Sequence, residues 1–106
     1  MPDITKPMHL AVLVAGGGNH RGAWRRAGSN IETTIFPEFY VDFARKAEAA
    51  KIDAIFFADI PYLEPRALGS DPALNAFEPL MLTAYLAAAT SRIGLVSSVS
   101  TSFSAP

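Results

Sequence analysis

Three short apolar runs punctuate the chain: His9 to Val14, Ala54 to Ala58, and Ile93 to Val99. The first two are continuous rather than alternating, the pattern of strands covered on both faces. Between the runs lie two stretches with helical spacing. From Pro37 to about Ala50, positions Phe36, Phe39, Tyr40, Phe43, Ala44, Ala47 and Ala50 make one apolar stripe, and Glu38, Asp42, Arg45, Lys46 and Glu48 fill the remaining surface. Pro37 suits a first-turn position, Glu38 complements the positive helix end, and Asp42 and Lys46 are spaced to pair. The second helix is predicted from about Pro79 to Ala89. Leu80, Met81, Leu82, Ala84, Tyr85 and Leu86 leave it almost no polar face, so it needs cover on more than one side.

The predicted order is β-α-β-α-β. Strands alternating with helices imply an α/β fold with parallel strands and right-handed crossovers. The connections are asymmetric. Ala15 to Phe36 and Asp59 to Phe77 are long loops, whereas Lys51 to Asp53 and Thr90 to Arg92 are short returns. Both long loops follow the carboxyl ends of strands. That is the catalytic face of a (β/α)8 barrel and the ligand crevice of an open α/β sheet.

Size bears on this reading. The chain has 106 residues, whereas a full barrel takes ~250. Three strands and two helices leave two bare sheet edges, so the chain reads as the N-terminal part of a larger α/β protein. A genuine small α/β domain that dimerises through its edges is the alternative.

Composition narrows the function classes. Half of the residues are apolar and 18% are charged, which argues against intrinsic disorder. Nine basic residues against ten acidic ones give a formal charge of −1, so no global basic field exists for gripping nucleic acid. Cysteine is absent, which removes disulfides, zinc-thiolate sites and a thiol nucleophile. His9 and His20 alone cannot build a histidine-rich metal cage, and no metal is expected. Met1 to Pro7 lacks the order of a signal peptide, and every apolar run is too short to span a bilayer. A soluble, cytoplasmic protein with no membrane partner is expected.

Candidate chemistry clusters near the strand ends. Gly16-Gly17-Gly18-Asn19-His20-Arg21-Gly22 follows the first run, but no lysine completes a P-loop and Arg21 stands where a dinucleotide fingerprint needs glycine. The segment reads as a mobile active-site loop or a plain linker. His20, Arg21, Trp24, Arg25 and Arg26 lie on it, suiting an anionic or planar ligand, or a solvated basic turn with a packed tryptophan. Asp59 closes the second run, where a carboxylate either accepts hydrogen bonds from a ligand or caps the next loop. Ser97, Ser98, Ser100, Thr101 and Ser102 end the third run, offering hydroxyls to a ligand or filling a tight interior. Glu78 precedes Pro79, a common position at the start of a helix. No Ser-His-Asp arrangement or paired-carboxylate motif stands out.

Several segments taken together resemble a known family: Gly22-Ala23-Trp24-Arg25, the Phe39 to Ala50 helix, Asp53-Ala54-Ile55-Phe56-Phe57-Ala58-Asp59, Glu78-Pro79-Leu80-Met81, Thr90-Ser91-Arg92-Ile93-Gly94-Leu95, and Ser100-Thr101-Ser102 running into Ala105-Pro106. In order and spacing they are similar to the N-terminal quarter of bacterial-luciferase-like flavin monooxygenases, in the nitrilotriacetate, dibenzothiophene-sulfone and long-chain-alkane branch. The resemblance implies that residues 1–106 are an N-terminal fragment of a single (β/α)8 TIM-barrel domain. It implies an oxygenase component of a two-component system, which takes reduced FMN from a separate flavin reductase and uses O2 to oxidise a small organic substrate. The cofactor then carries the oxygen chemistry, and the protein orients it and excludes water.

Carried across residue by residue, the resemblance makes Asp59, Thr101 and Ser98 the cofactor-binding residues. It makes His20, Trp24, Tyr62 and Glu78 the substrate-side residues. The flavin phosphate site and later family positions are expected beyond Pro106. The fragment alone is expected to be inactive, and the full-length protein is expected to be a homo-oligomer. The alternatives are an F420- or flavin-dependent reductase on the same barrel, and a stand-alone α/β interaction module.

Overall fold

The computed structural model describes residues 5–20, 22–29, 31–59, 65 and 77–102. Arg21, Tyr62, most of the second long loop and Phe103 to Pro106 lie outside the described residues. The elements are β1 (Ala11–Leu13), α1 (Pro37–Ala49), β2 (Ala54–Phe57), α2 (Pro79–Ala87) and β3 (Gly94–Ser97), with two 3-10 turns at Ala23–Arg25 and Ile31–Ile35. The strands form one parallel sheet in the order β1-β2-β3. Ala11, Val12 and Leu13 pair with Ala54, Ile55 and Phe56. Ala54 to Phe57 pair in turn with Gly94 to Ser97. This is the expected α/β arrangement of parallel strands linked through helices, as in one portion of a (β/α)8 barrel.

Alternation along the strands divides their side chains between two faces. Ile55 and Phe57 are buried, and they join Tyr40, Ala44 and Ala47 of α1, Leu82 and Leu86 of α2, and Ile93 in the core. Val12, Val14 and Leu95 pack against the same cluster. The opposite face carries Leu13, Phe56 and Val96 in one row, with Leu13 50% and Val96 46% exposed. The continuous apolar runs therefore correspond to two apolar faces, of which the helices cover one among the described residues. In a closed barrel the other face is the interior, and more strands cover it.

Tyr40, Ala44 and Ala47 bury the middle of the predicted α1 stripe, whereas Phe36 and Ala50 at its ends are exposed. Lys46 Nζ donates to Asp42 Oδ2 at 2.5 Å, the expected i,i+4 pair. The helix stops in a Schellman turn: Ile52 N–H donates to the Ala47 carbonyl and Lys51 N–H to that of Glu48. Lys51 occupies the left-handed position there, at φ 61°. In α2, Pro79, Leu82, Thr83 and Leu86 are buried. Leu80, Met81 and Tyr85 face outward and are exposed. Neither helix is long and apolar enough to cross a membrane.

Charged groups fasten the amino-terminal ends of the strands. Asp53 Oδ2 accepts the Leu10 N–H at 2.8 Å, and His9 Nδ1 lies 3.3 Å from Asp53 Oδ1. The Leu10 amide, helped by His9, holds the Asp53 carboxyl below its ordinary range. Glu48 of α1 reaches the start of β3, where its Oε1 accepts the N–H groups of Ser91 (2.9 Å), Arg92 and Ile93 (3.1 Å). Those amides, Ser91 first, depress the Glu48 carboxyl. Arg45 Nε donates to the Ala89 carbonyl at 3.3 Å and ties the same turn to α1.

Candidate functional site at the carboxyl ends of the strands

The opposite end of the sheet is fastened by neutral groups. Ser98 N–H donates to the Phe57 carbonyl at 3.1 Å, extending the β2–β3 ladder one residue past the strands. The next rung of a parallel ladder would take the Asp59 N–H to the Ser98 backbone carbonyl. The Ser98 hydroxyl accepts it here instead, with Asp59 N to Ser98 Oγ at 2.7 Å. Sequence alone left the parity of the serines open. With Val96 on the open face, alternation puts Ser98 on that face, beside Ala58 in the register that pairs Phe57 with Ser97. Two cofactor-side candidates, Asp59 and Ser98, are thus directly bonded. Both are half-buried, whereas Thr101, three residues further on, is exposed.

The first long loop is ordered by its own contacts. Gly17 sits at φ 73°, and a Cβ there would stand 3.1 Å from both Trp24 Cβ and Ile31 Cδ1. Glycine is required at that position both for the left-handed backbone and for the close approach. Ser29 Oγ donates to the Trp24 carbonyl at 2.7 Å, and Thr34 Oγ1 to the Ile31 carbonyl at 2.6 Å. Tyr40 of α1 donates to the Thr34 carbonyl at 3.0 Å.

Two substrate-side candidates lie on this loop. The Gly22 N–H donates to His20 Nδ1 at 3.1 Å, so a neutral His20 carries its proton on Nε2 and presents a donor from an exposed ring. The indole N–H of Trp24 is enclosed and finds no acceptor among the described residues. A buried donor in that state calls for an explanation. The Arg25 guanidinium lies 4.8 Å over the same ring.

Glu78 has a different occupation. It caps α2, with Oε1 accepting the Leu80 N–H at 3.0 Å and Oε2 the Met81 N–H at 2.6 Å. Both oxygens serve the helix start, the structural role open to that position. Tyr62 lies outside the described residues. Sequence reasoning passed over Tyr40, which joins α1, the first loop and an aromatic group with Phe39, Phe57 and Phe77 at centroid distances of 5.1, 6.0 and 5.7 Å. Its place in the α1 stripe signalled burial, but nothing nearby signalled the bond to Thr34.

This end of the sheet fits a flavin ring in chemical type. The open face offers an apolar row of Leu13, Phe56 and Val96, with the smaller Ala58 and Ser98 above it. The Asp59 carboxylate at the rim supplies acceptor oxygens, and no ion pair among the described residues involves it. Among the described residues, no three His, Asp or Glu side chains gather to hold a metal ion.

Comparison with known proteins agrees with this fold. Residues 17–106 match the family model of luciferase-like monooxygenases. The chain is 34% identical over 107 residues to N-acetyl-S-(2-succino)cysteine monooxygenase of Bacillus subtilis, covering 100% of the chain and 24% of that protein. It is 38% identical over 89 residues to one subunit of the pristinamycin IIA synthase of Streptomyces pristinaespiralis, covering 81% of the chain and 21% of that protein. It is 32% identical over 111 residues to nitrilotriacetate monooxygenase component A of Aminobacter aminovorans, covering 95% and 24%. The chain therefore spans less than a quarter of the length of these relatives.

Proposed function

The chain belongs to the luciferase-like monooxygenase family, and we propose that it is one portion of a single barrel domain whose whole protein is an FMN-dependent oxygenase. That protein takes reduced FMN from a separate flavin reductase and uses O2 to oxidise a small organic substrate in the cytoplasm. The single observation that carries the reading is the bonded pair Asp59–Ser98 at the carboxyl-end rim of an open apolar sheet face. A relative named as a component A supports a partner component.

Bound FMN would supply the redox and oxygen chemistry. This chain's residues bind, orient and keep out water. The Asp59 carboxylate accepts hydrogen bonds from ring N–H groups, and Thr101, exposed in the turn that follows β3, is a second cofactor-side residue on this reading. The apolar row of Leu13, Phe56 and Val96 backs the ring and excludes water beneath it. His20 presents a donor on the substrate side, next to the enclosed Trp24 and to Arg25 and Arg26, and this combination favours an anionic substrate. Tyr62, outside the described residues, stays a substrate-side proposal on the family resemblance alone, whereas we assign Glu78 to capping α2.

The test is O2 consumption by the full-length protein, supplied with FMN, a flavin reductase and NADH, over a panel of small carboxylated, organosulfur and alkane compounds. Substrate-dependent O2 uptake with oxygenated product is expected. Reduction of substrate without O2, or dependence on F420, would replace this reading with the reductase one. A cooperatively melting, monodisperse 106-residue chain would favour the stand-alone module.

A further inference from the structure

We propose that Ser98 is a positioning residue that acts on the flavin through Asp59, an inference that rests on the proposed flavin role of Asp59. Three observations carry it. The parallel register pairs Phe57 with Ser97, so the next rung falls on Ala58 and Ser98. The Ser98 N–H completes half of that rung on the Phe57 carbonyl. The other half, the Asp59 N–H, ends on the Ser98 side chain at 2.7 Å. The ladder thus closes on a hydroxyl where regular pairing would use a backbone carbonyl.

This substitution sets where the chain leaves β2. A hydroxyl stands further from the β3 backbone than its carbonyl, so the Asp59 amide, and with it the Asp59 Cα, is drawn towards the open face on which Ser98 lies. The carboxylate is carried by that same Cα. The Ser98 oxygen spends a lone pair on the amide, so its direct offer to a ligand is limited to its remaining donor and acceptor capacity. Its main effect is to hold the backbone from which Asp59 reaches the rim. Ser98 in the cofactor-binding set is on this account an indirect member.

The experiment is a double-mutant cycle in the full-length protein, with FMN affinity read by flavin fluorescence and stability by melting of the flavin-free protein. Ser98→Ala and Ser98→Cys, which lack a good acceptor, are expected to weaken FMN binding about tenfold, and Ser98→Thr, which retains the hydroxyl, to stay within about threefold of the parent. Asp59→Ala is expected to weaken binding at least as much, and adding Ser98→Ala to it to change nothing further. A purely structural serine would lower the melting temperature and leave the cycle additive. Strong loss with Asp59→Ala but none with Ser98→Ala or Ser98→Cys overturns the inference and leaves the flavin role of Asp59 standing. No loss with Asp59→Ala overturns both.

Discussion

The Tyr40 hydroxyl donates to the Thr34 carbonyl at 3.0 Å, so a buried side chain of α1 holds the end of the first long loop. The ring rests edge-on against Phe39, Phe57 and Phe77. Tyr40→Phe keeps the ring and removes the bond. A loss of about 1 kcal/mol is expected, against about 3–5 kcal/mol for Tyr40→Ala. Urea unfolding of the full-length protein measures both, and a Tyr40→Phe variant as stable as the parent would show that the hydroxyl contributes nothing. Burial raises the Tyr40 pKa. Its contribution is therefore fully present below the unfolded value near 10 and is lost as pH rises through the higher folded value.

The grip of Glu48 on the Ser91, Arg92 and Ile93 amides has the opposite pH dependence. Its carboxyl is depressed in the folded state, with the Ser91 amide the largest cause. The stabilisation is present above the ordinary glutamate value near 4.3 and disappears as pH falls through the lower folded value. Glu48→Gln is expected to lower the melting temperature at neutral pH and flatten its fall between about pH 5 and 3. Asp53, depressed chiefly by the Leu10 amide, leaves part of that slope in place. A melting profile parallel to the parent's across the acid range would rule out this role.

Gly94 opens β3 where no side chain fits. A Cβ there would stand 3.0 Å from the Asp53 carbonyl oxygen and 3.1 Å from Ala54 Cβ. Gly94→Ala is expected to destabilise by about 1–3 kcal/mol through overpacking between β2 and β3. The readout is the denaturant midpoint of the full-length protein, and an unchanged midpoint would mean that the strands separate freely.

Trp24 separates stability from function. Its indole N–H is enclosed and finds no acceptor among the described residues, so Trp24→Phe removes no hydrogen bond to them and is expected to change stability by less than about 1 kcal/mol. If the loop rearranges to offer that donor on the substrate side, KM rises severalfold in the same variant while FMN affinity holds. Parent-like kinetics across the substrate panel would assign Trp24 to packing alone.

Much of this was legible in the chain. Among the described residues, the three apolar runs located the strands, the stripe of Tyr40, Ala44 and Ala47 located α1 and the apolar stretch after Pro79 located α2, because local periodicity reports which residues meet a core; the two 3-10 turns of the first loop carry no such signal. The ends drifted by a residue or two. Thus α2 stops at Ala87, where Ala89 N–H and Thr90 Oγ1 both turn back to the Leu86 carbonyl. Asp59 was visible from its position after β2. Its bond to Ser98 was hidden, because it spans 39 residues and depends on strand register. Glu48 read as part of a solvated face for the same reason, its partners lying 43 to 45 residues away. The one hint was the short return at Thr90 to Arg92, whose amides had to find acceptors somewhere. The first loop read as a mobile arm or a linker, and Ser29, Thr34 and Tyr40 give it bonds that such a reading did not foresee.

The two ends of the sheet are fastened by different chemistry, carboxylates on backbone amides at one and hydroxyls with a phenol at the other. Acid therefore loosens the foundation through Glu48 and Asp53, whereas the Ser98 and Tyr40 hydroxyls keep their bonds. On the proposed reading of the rim as the flavin site, substitutions made there leave the carboxylate ties at the other end of the sheet in place.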